Sequence, residues 1–113
     1  MVGATLLAMA KDLKNATQEG RVKWSETADT DTFRIVFDYA VVKISKSYNS
    51  EFDDTFIWLV VTNPKGKTVE EVSLSQGPEY ALLDELFSLA RRSARNSESI
   101  LEQIRKDIRP RGE

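Results

Sequence analysis

The chain has 113 residues, 41% of them hydrophobic and 30% charged, with a net charge of −2, which fits one compact domain that buries most of its apolar surface. With no cysteine and no histidine, it is denied a disulfide framework, a thiolate nucleophile, a zinc ribbon and an imidazole base, so any chemistry would fall to carboxylates, Lys, Tyr or Ser. No apolar run approaches the roughly 20 residues of a membrane span, and the cytoplasm is the expected location.

Met1 to Ala10 is apolar, and Ala8-Met9-Ala10 superficially resembles a small-x-small cleavage site. No basic residue precedes it and Lys11 follows at once, so the segment reads as the start of a helix. Leu6, Met9, Ala10, Leu13 and Thr17 have helical spacing within Thr5 to Thr17, and Gly20 stands where that helix would end. Val22 and Trp24 then alternate with Arg21, Lys23 and Ser25, a short extended piece before the polar Glu26 to Asp31 turn.

The centre reads as β. Phe33, Ile35, Phe37 and Tyr39 share one face of a strand with Arg34 and Asp38 opposed, and Ala40, Val42 and Ile44 continue with Lys43 and Ser45 opposed, predicting two strands that turn near Asp38 to Ala40. Thr55 to Thr62 differs, because Phe56, Trp58 and Val60 point one way while Ile57, Leu59 and Val61 point the other. Both of its faces need cover. Asn63-Pro64-Lys65-Gly66 is turn chemistry, and Lys67 to Leu74 should pair back as a hairpin.

Gly77-Pro78 opens a C-terminal helical region. From there Leu83, Phe87, Ala90, Ala94, Ser97, Leu101, Ile104 and Ile108 recur at spacings of 4 and 3, a heptad path with one polar interruption. It forms either one helix of about 30 residues, roughly 45 Å long, or two helices broken at Asn96-Ser97, with one of those two residues as the N-cap of the second. A compact domain favours the break. The expected fold is therefore α+β over 1–113 as a single domain: an antiparallel meander of three to four strands with an N-terminal helix and a C-terminal helical region.

At Lys23-Trp24-Ser25-Glu26-Thr27, Thr32-Phe33 and Leu89-Ala90-Arg91-Arg92-Ser93-Ala94, the chain resembles a scattered group of short microbial proteins with a W-x-E-T…T-F…A-R-R-x-A pattern. The likeness spans nearly the whole chain and implies the order helix, sheet, helix; it implies no activity. Arg95-Asn96-Ser97 departs from the Gly-containing junction that the pattern leads one to expect after the A-R-R-x-A segment.

The chemical candidates are weak beside their plain readings. Gly66-Lys67-Thr68 imitates the end of a phosphate-binding loop, but Val61 stands where the loop needs its first glycine, and a strand rather than a helix should follow. Asn49, Glu51, Asp53 and Asp54 offer oxygen ligands for a hard cation but lack the calcium-loop glycine, and an acidic hairpin end explains them. Glu26, Asp29, Asp31, Asp38, Glu70 and Glu71 could supply a two-carboxylate hydrolase only if two were held about 5 to 10 Å apart across a cleft, and their spacing does not require it. No catalytic residue, cofactor, metal ligand or small-molecule substrate is identified.

Arg91, Arg92 and Arg95, followed by Arg105, Lys106, Arg109 and Arg111, remain as candidate contacts for a partner or a nucleic acid, since Arg91 to Arg111 carries 7 Lys/Arg against 3 Asp/Glu. Arg91 and Arg92 could equally pair with the Glu26 to Asp31 turn or with Asp84 and Glu85, fixing the helix on the sheet. The expected function is non-catalytic protein interaction, including self-association as a dimer, because a chain this short has few helices with which to cover both faces of Phe56 to Val61. The intramolecular alternative puts the first helix on one face and the last on the other. The competing function is a small nucleic-acid-binding regulator using the basic C-terminal surface.

Overall fold

The computed structural model describes residues 3–109. Helix α1, Ala4–Gln18, comes first, followed by the strands β1 Ser25–Glu26, β2 Thr32–Phe37, β3 Ala40–Asn49, β4 Asp54–Thr62 and β5 Thr68–Leu74, then α2 Pro78–Ala94 and α3 Ser97–Ile108. The strands form one antiparallel sheet in the order β1-β2-β3-β4-β5. The meander thus has five strands rather than three or four. The addition is β1, in which Ser25 pairs with Arg34 and Glu26 with Phe33; two residues carry too little alternation to be read as a strand on their own.

Register converts the alternating sequence into two faces. Ile44 lies opposite Leu59, and Leu59 opposite Val72, so these share one face with Phe33, Ile35, Val42 and Ile57. Against that inner face pack Leu83, Leu86, Phe87 and Ala90 of α2 and Leu6, Ala10 and Leu13 of α1. Both helices lie on this side, so the arrangement with one helix on each face is not adopted. Helix α2 crosses β1, β2, β3 and β4 while α1 lies beside it. Lys46 shares the inward parity of Val42 and Ile44. Its ammonium reaches Asp84 of α2 at 2.8 Å and sits 5.6 Å from the Phe87 ring centre, which is how an inward lysine at the sheet's end is accommodated.

Turn chemistry sets the element ends. The Gly66 N–H donates to the Asn63 carbonyl, and the Asn63 side-chain oxygen accepts from the N–H groups of Lys65 and Lys67, so Gly66-Lys67-Thr68 belongs to a hairpin. The C-terminal region breaks at Arg95-Asn96. Asn96 is the N-cap of α3, one of the two residues expected there; it holds a left-handed conformation, φ 54° and ψ 41°, and its side chain makes no capping hydrogen bond. Asparagine tolerates this region, and the resulting turn does the work expected of a glycine junction.

The heptad path consequently divides. Leu83, Phe87 and Ala90 are buried, whereas Leu101, Ile104 and Ile108 face solvent, as does every described side chain of α3. The molecule measures 57 × 37 × 26 Å with a radius of gyration of 16.3 Å, against about 13 Å for a compact domain of this length. Helix α3 projects from the body rather than folding back onto it.

Helix α1 closes with Gly20 at φ 73°, its N–H donating to the Thr17 carbonyl while the Arg21 N–H donates to the Ala16 carbonyl. This is the double bond pattern of a left-handed helix terminus. No atom would obstruct a Cβ at Gly20, so Gly20→Ala is strained only through φ and should cost about 1 kcal/mol. Denaturant unfolding should show a lowered midpoint with an unchanged slope, and an unaltered midpoint would refute this account of the α1 terminus.

Candidate functional site

Three features bear on function: the junction where the W-x-E-T and A-R-R-x-A segments meet, the acidic end of the β3–β4 hairpin, and the outer face of the sheet. At the junction, the Trp24 backbone N–H donates to the Ser93 hydroxyl at 3.0 Å and its indole N–H to the Thr17 hydroxyl at 3.0 Å. Thr17 in turn donates to the Leu13 carbonyl at 2.7 Å. A single buried tryptophan therefore ties the ends of α1 and α2 to the chain entering β1. Arg95 follows immediately: its Nε lies 3.2 Å from Glu26, a terminal nitrogen 4.0 Å from Asp31, and its guanidinium 5.5 Å from the Phe33 ring.

The sequence suggested Arg91 and Arg92 as partners of the Glu26 to Asp31 turn or of Asp84 and Glu85. Arg95 pairs with Glu26 and Asp31, Lys46 with Asp84, and Lys14 of α1 with Glu85 at 2.5 Å. The missed signals were Ser93 within its motif and a lysine at inward parity in β3. Arg91 lies 5.8 Å from the Phe87 ring centre, while Arg92, with Lys23, Ser93 and Asn96, lines an open recess of about 430 Å³. On α3, Arg105 pairs with Glu102 at 2.8 Å, and Lys106 and Arg109 are exposed. The six candidate contacts fall on α2, on α3 and on the residues that close them, Arg95 and Arg109; Arg95 and Arg105 are engaged by carboxylates, and Arg111 lies outside the described residues.

At the β3–β4 hairpin, the Asn49 carboxamide oxygen accepts from the Glu51 N–H at 2.9 Å, and the Tyr48 hydroxyl donates to Asp53. That hydrogen bond, helped by slight desolvation, raises the Tyr48 pKa above the ordinary 10.0. Among the described residues no group of three or more Asp and Glu is placed to hold a metal ion, and no polar or charged side chain is buried. No helix among them is long and apolar enough to cross a membrane.

The third feature is the outer face of the sheet. Trp58 stands between Ser45 and Ser73, and Val60 between Lys43 and Glu71, on the side of the sheet away from both packing helices. Val41, Val36 and Phe56 share this face, and the exposed Phe52 ring at the hairpin tip meets Phe56 edge-on at 6.4 Å. Trp58 is 36% and Val36 64% exposed. These side chains form an apolar strip along β4, flanked by Lys43 and Ser45 on β3 and by Glu71 and Ser73 on β5.

Comparison with family models, with curated proteins and with solved structures finds no match.

Two outcomes test the local chemistry. Ser93→Ala leaves the Trp24 N–H without its acceptor and should cost about 1–2 kcal/mol, read as a lower unfolding midpoint; equal stability would show that the hydroxyl is dispensable. A Tyr48 pKa raised in the folded state adds stability that is complete below pH 10 and lost as pH rises through the folded value. In an ultraviolet titration, Asp53→Asn should therefore move the highest tyrosine midpoint down, and an unchanged curve would refute the assignment.

Proposed function

We propose that this protein is a non-catalytic protein-interaction module that works through the outer face of its sheet and self-associates through it. The observation that carries this reading is the Phe56, Trp58 and Val60 row of β4. Its inward counterpart, Ile57 and Leu59, is completely buried beneath the helices, whereas the outward row has no second layer in its own chain. Trp58 is 36% exposed and Phe56 and Val60 are half-buried, so covering the row would realise on the order of a few kcal/mol of further burial, which supports association with a complementary surface.

The sheet's edges support face-on contact rather than strand addition. At one edge β1 is two residues long. At the other, β5 carries Glu70 and Glu71 beside an irregularity in its pairing with Val61 and Thr62. Short, bulged or charged edges discourage another strand from pairing.

The competing reading, a nucleic-acid-binding regulator, rests on Arg91, Arg92, Arg95, Arg105, Lys106 and Arg109. Phosphate neutralisation needs cations gathered on one surface, and the ion pairs of Arg95 and Arg105 with Glu26, Asp31 and Glu102 favour it less than the bare face favours a protein partner.

The test is solution mass at tens of micromolar for the native chain and for Trp58→Glu. The native chain should be dimeric and the variant monomeric, with thermal unfolding of the variant's fold retained because Trp58 lies outside the helix-covered core. A dimer that survives Trp58→Glu, or a monomeric native chain that retains DNA or RNA in a salt-dependent manner, would overturn the proposal.

A further inference from the structure

Resting on the proposed role of the outer sheet face, we infer that what covers this face is helix α3 of a second copy of the chain, exchanged reciprocally about a two-fold axis. Each surface lacks what the other supplies. Helix α3 has 12 residues, and an isolated helix of that length is marginal in water; yet its apolar stripe of Ile100, Leu101, Ile104 and Ile108 is exposed along its length. The face of β4 lacks a covering layer. Twelve helical residues span about 18 Å, and the outward row from Phe56 to Thr62 spans about 20 Å at strand rise.

Charge fixes the fit and its direction. Across the outer face, Arg34, Lys43, Val60 and Glu71 lie side by side on successive strands: positive on the β2 and β3 side, apolar over β4, negative on β5. On α3, Arg105, ion-paired with Glu102 at 2.8 Å, borders one side of the apolar stripe, while Asp107, hydrogen-bonded to Gln103, borders the other. With the stripe on β4 and α3 running parallel to that strand, helical handedness puts Arg105 on the Glu71 side and Asp107 over Lys43 and Arg34. The opposite direction would set Asp107 against Glu71. Complementary flanks select register and exclude alternatives more than they add affinity. Two such contacts hide on the order of 1,000 Å², the threshold for a specific interface.

The left-handed Asn96 explains why α3 is available for exchange. It ends α2 and sends α3 away from its own domain, and a short hinge that prevents folding back is the usual route to swapping an element between protomers.

The experiment measures mass by light scattering at about 50 μM, a concentration at which dimers of micromolar Kd are largely formed, for native chain, Trp58→Glu, Ile104→Glu and an equimolar mixture of the two variants. The inference expects a native dimer, two monomeric variants and a mixed dimer, because one intact sheet face and one intact helix remain in the mixture. Lys43→Glu and Asp107→Lys should each weaken the dimer roughly tenfold, and the double variant should regain most of the loss. Ile104→Glu remaining dimeric while Trp58→Glu is monomeric means sheet packs on sheet: the inference fails and the interaction face stands. The reverse pattern means helix packs on helix, and both fail. Two monomeric variants that do not combine overturn the exchange, as does a native chain that is monomeric. Circular dichroism on each variant confirms that its fold is retained, since neither side chain lies in the helix-covered core.

Discussion

Helix α2 lies across four strands, and the Phe87 ring tilts against Phe33 at 5.6 Å between centres. Nearly everything else in the molecule follows from that contact. Because α2 takes the inner face with Leu83, Leu86, Phe87 and Ala90, α1 must share the same side, where Leu6, Ala10 and Leu13 complete the core. Two helices side by side suffice for one face of a five-stranded sheet. The opposite face is then left with whatever side chains the alternation of β4 places there, and in this chain those are Phe56, Trp58 and Val60 rather than polar residues.

The polar contacts around α2 orient it rather than drive its packing. Lys14 to Glu85 joins the two helices, Lys46 to Asp84 anchors α2 on β3, and Arg95 to Glu26 and Asp31 secures its far end. All are at least partly open to water, where each ion pair contributes little. The two tryptophan hydrogen bonds differ in kind, since they satisfy donors on a residue that is 3% exposed, and leaving such groups unmet costs more than making the bonds yields.

Much of this architecture was legible in the order of residues. The strict alternation through Phe33 to Ile44, the Asn63-Pro64-Lys65-Gly66 turn and the Leu83 to Ala94 spacing all have physical periods that only one element type accommodates, and they appear as β2, β3, the β4–β5 hairpin and α2. The two-sided greasiness of β4 was legible too, but which side the helices would take was not, since both rows offer similar apolar volume. That Arg95 would engage Glu26 and Asp31 was also hidden. Arg91, Arg92 and Arg95 lie within about one helical turn of one another, and the position of the Glu26 to Asp31 segment relative to α2 is fixed only when Trp24 reaches Ser93.

The two tryptophans of this chain occupy opposite extremes of the fold: Trp24 is sealed between helix ends, and Trp58 stands on the bare side of the sheet. Their emission therefore resolves two different events without any label. Collisional quenchers reach Trp58 and leave Trp24 dark to them while the domain is folded, so loss of quenching reports that something has settled on the sheet, and a red shift of the protected component reports that the helices have come apart.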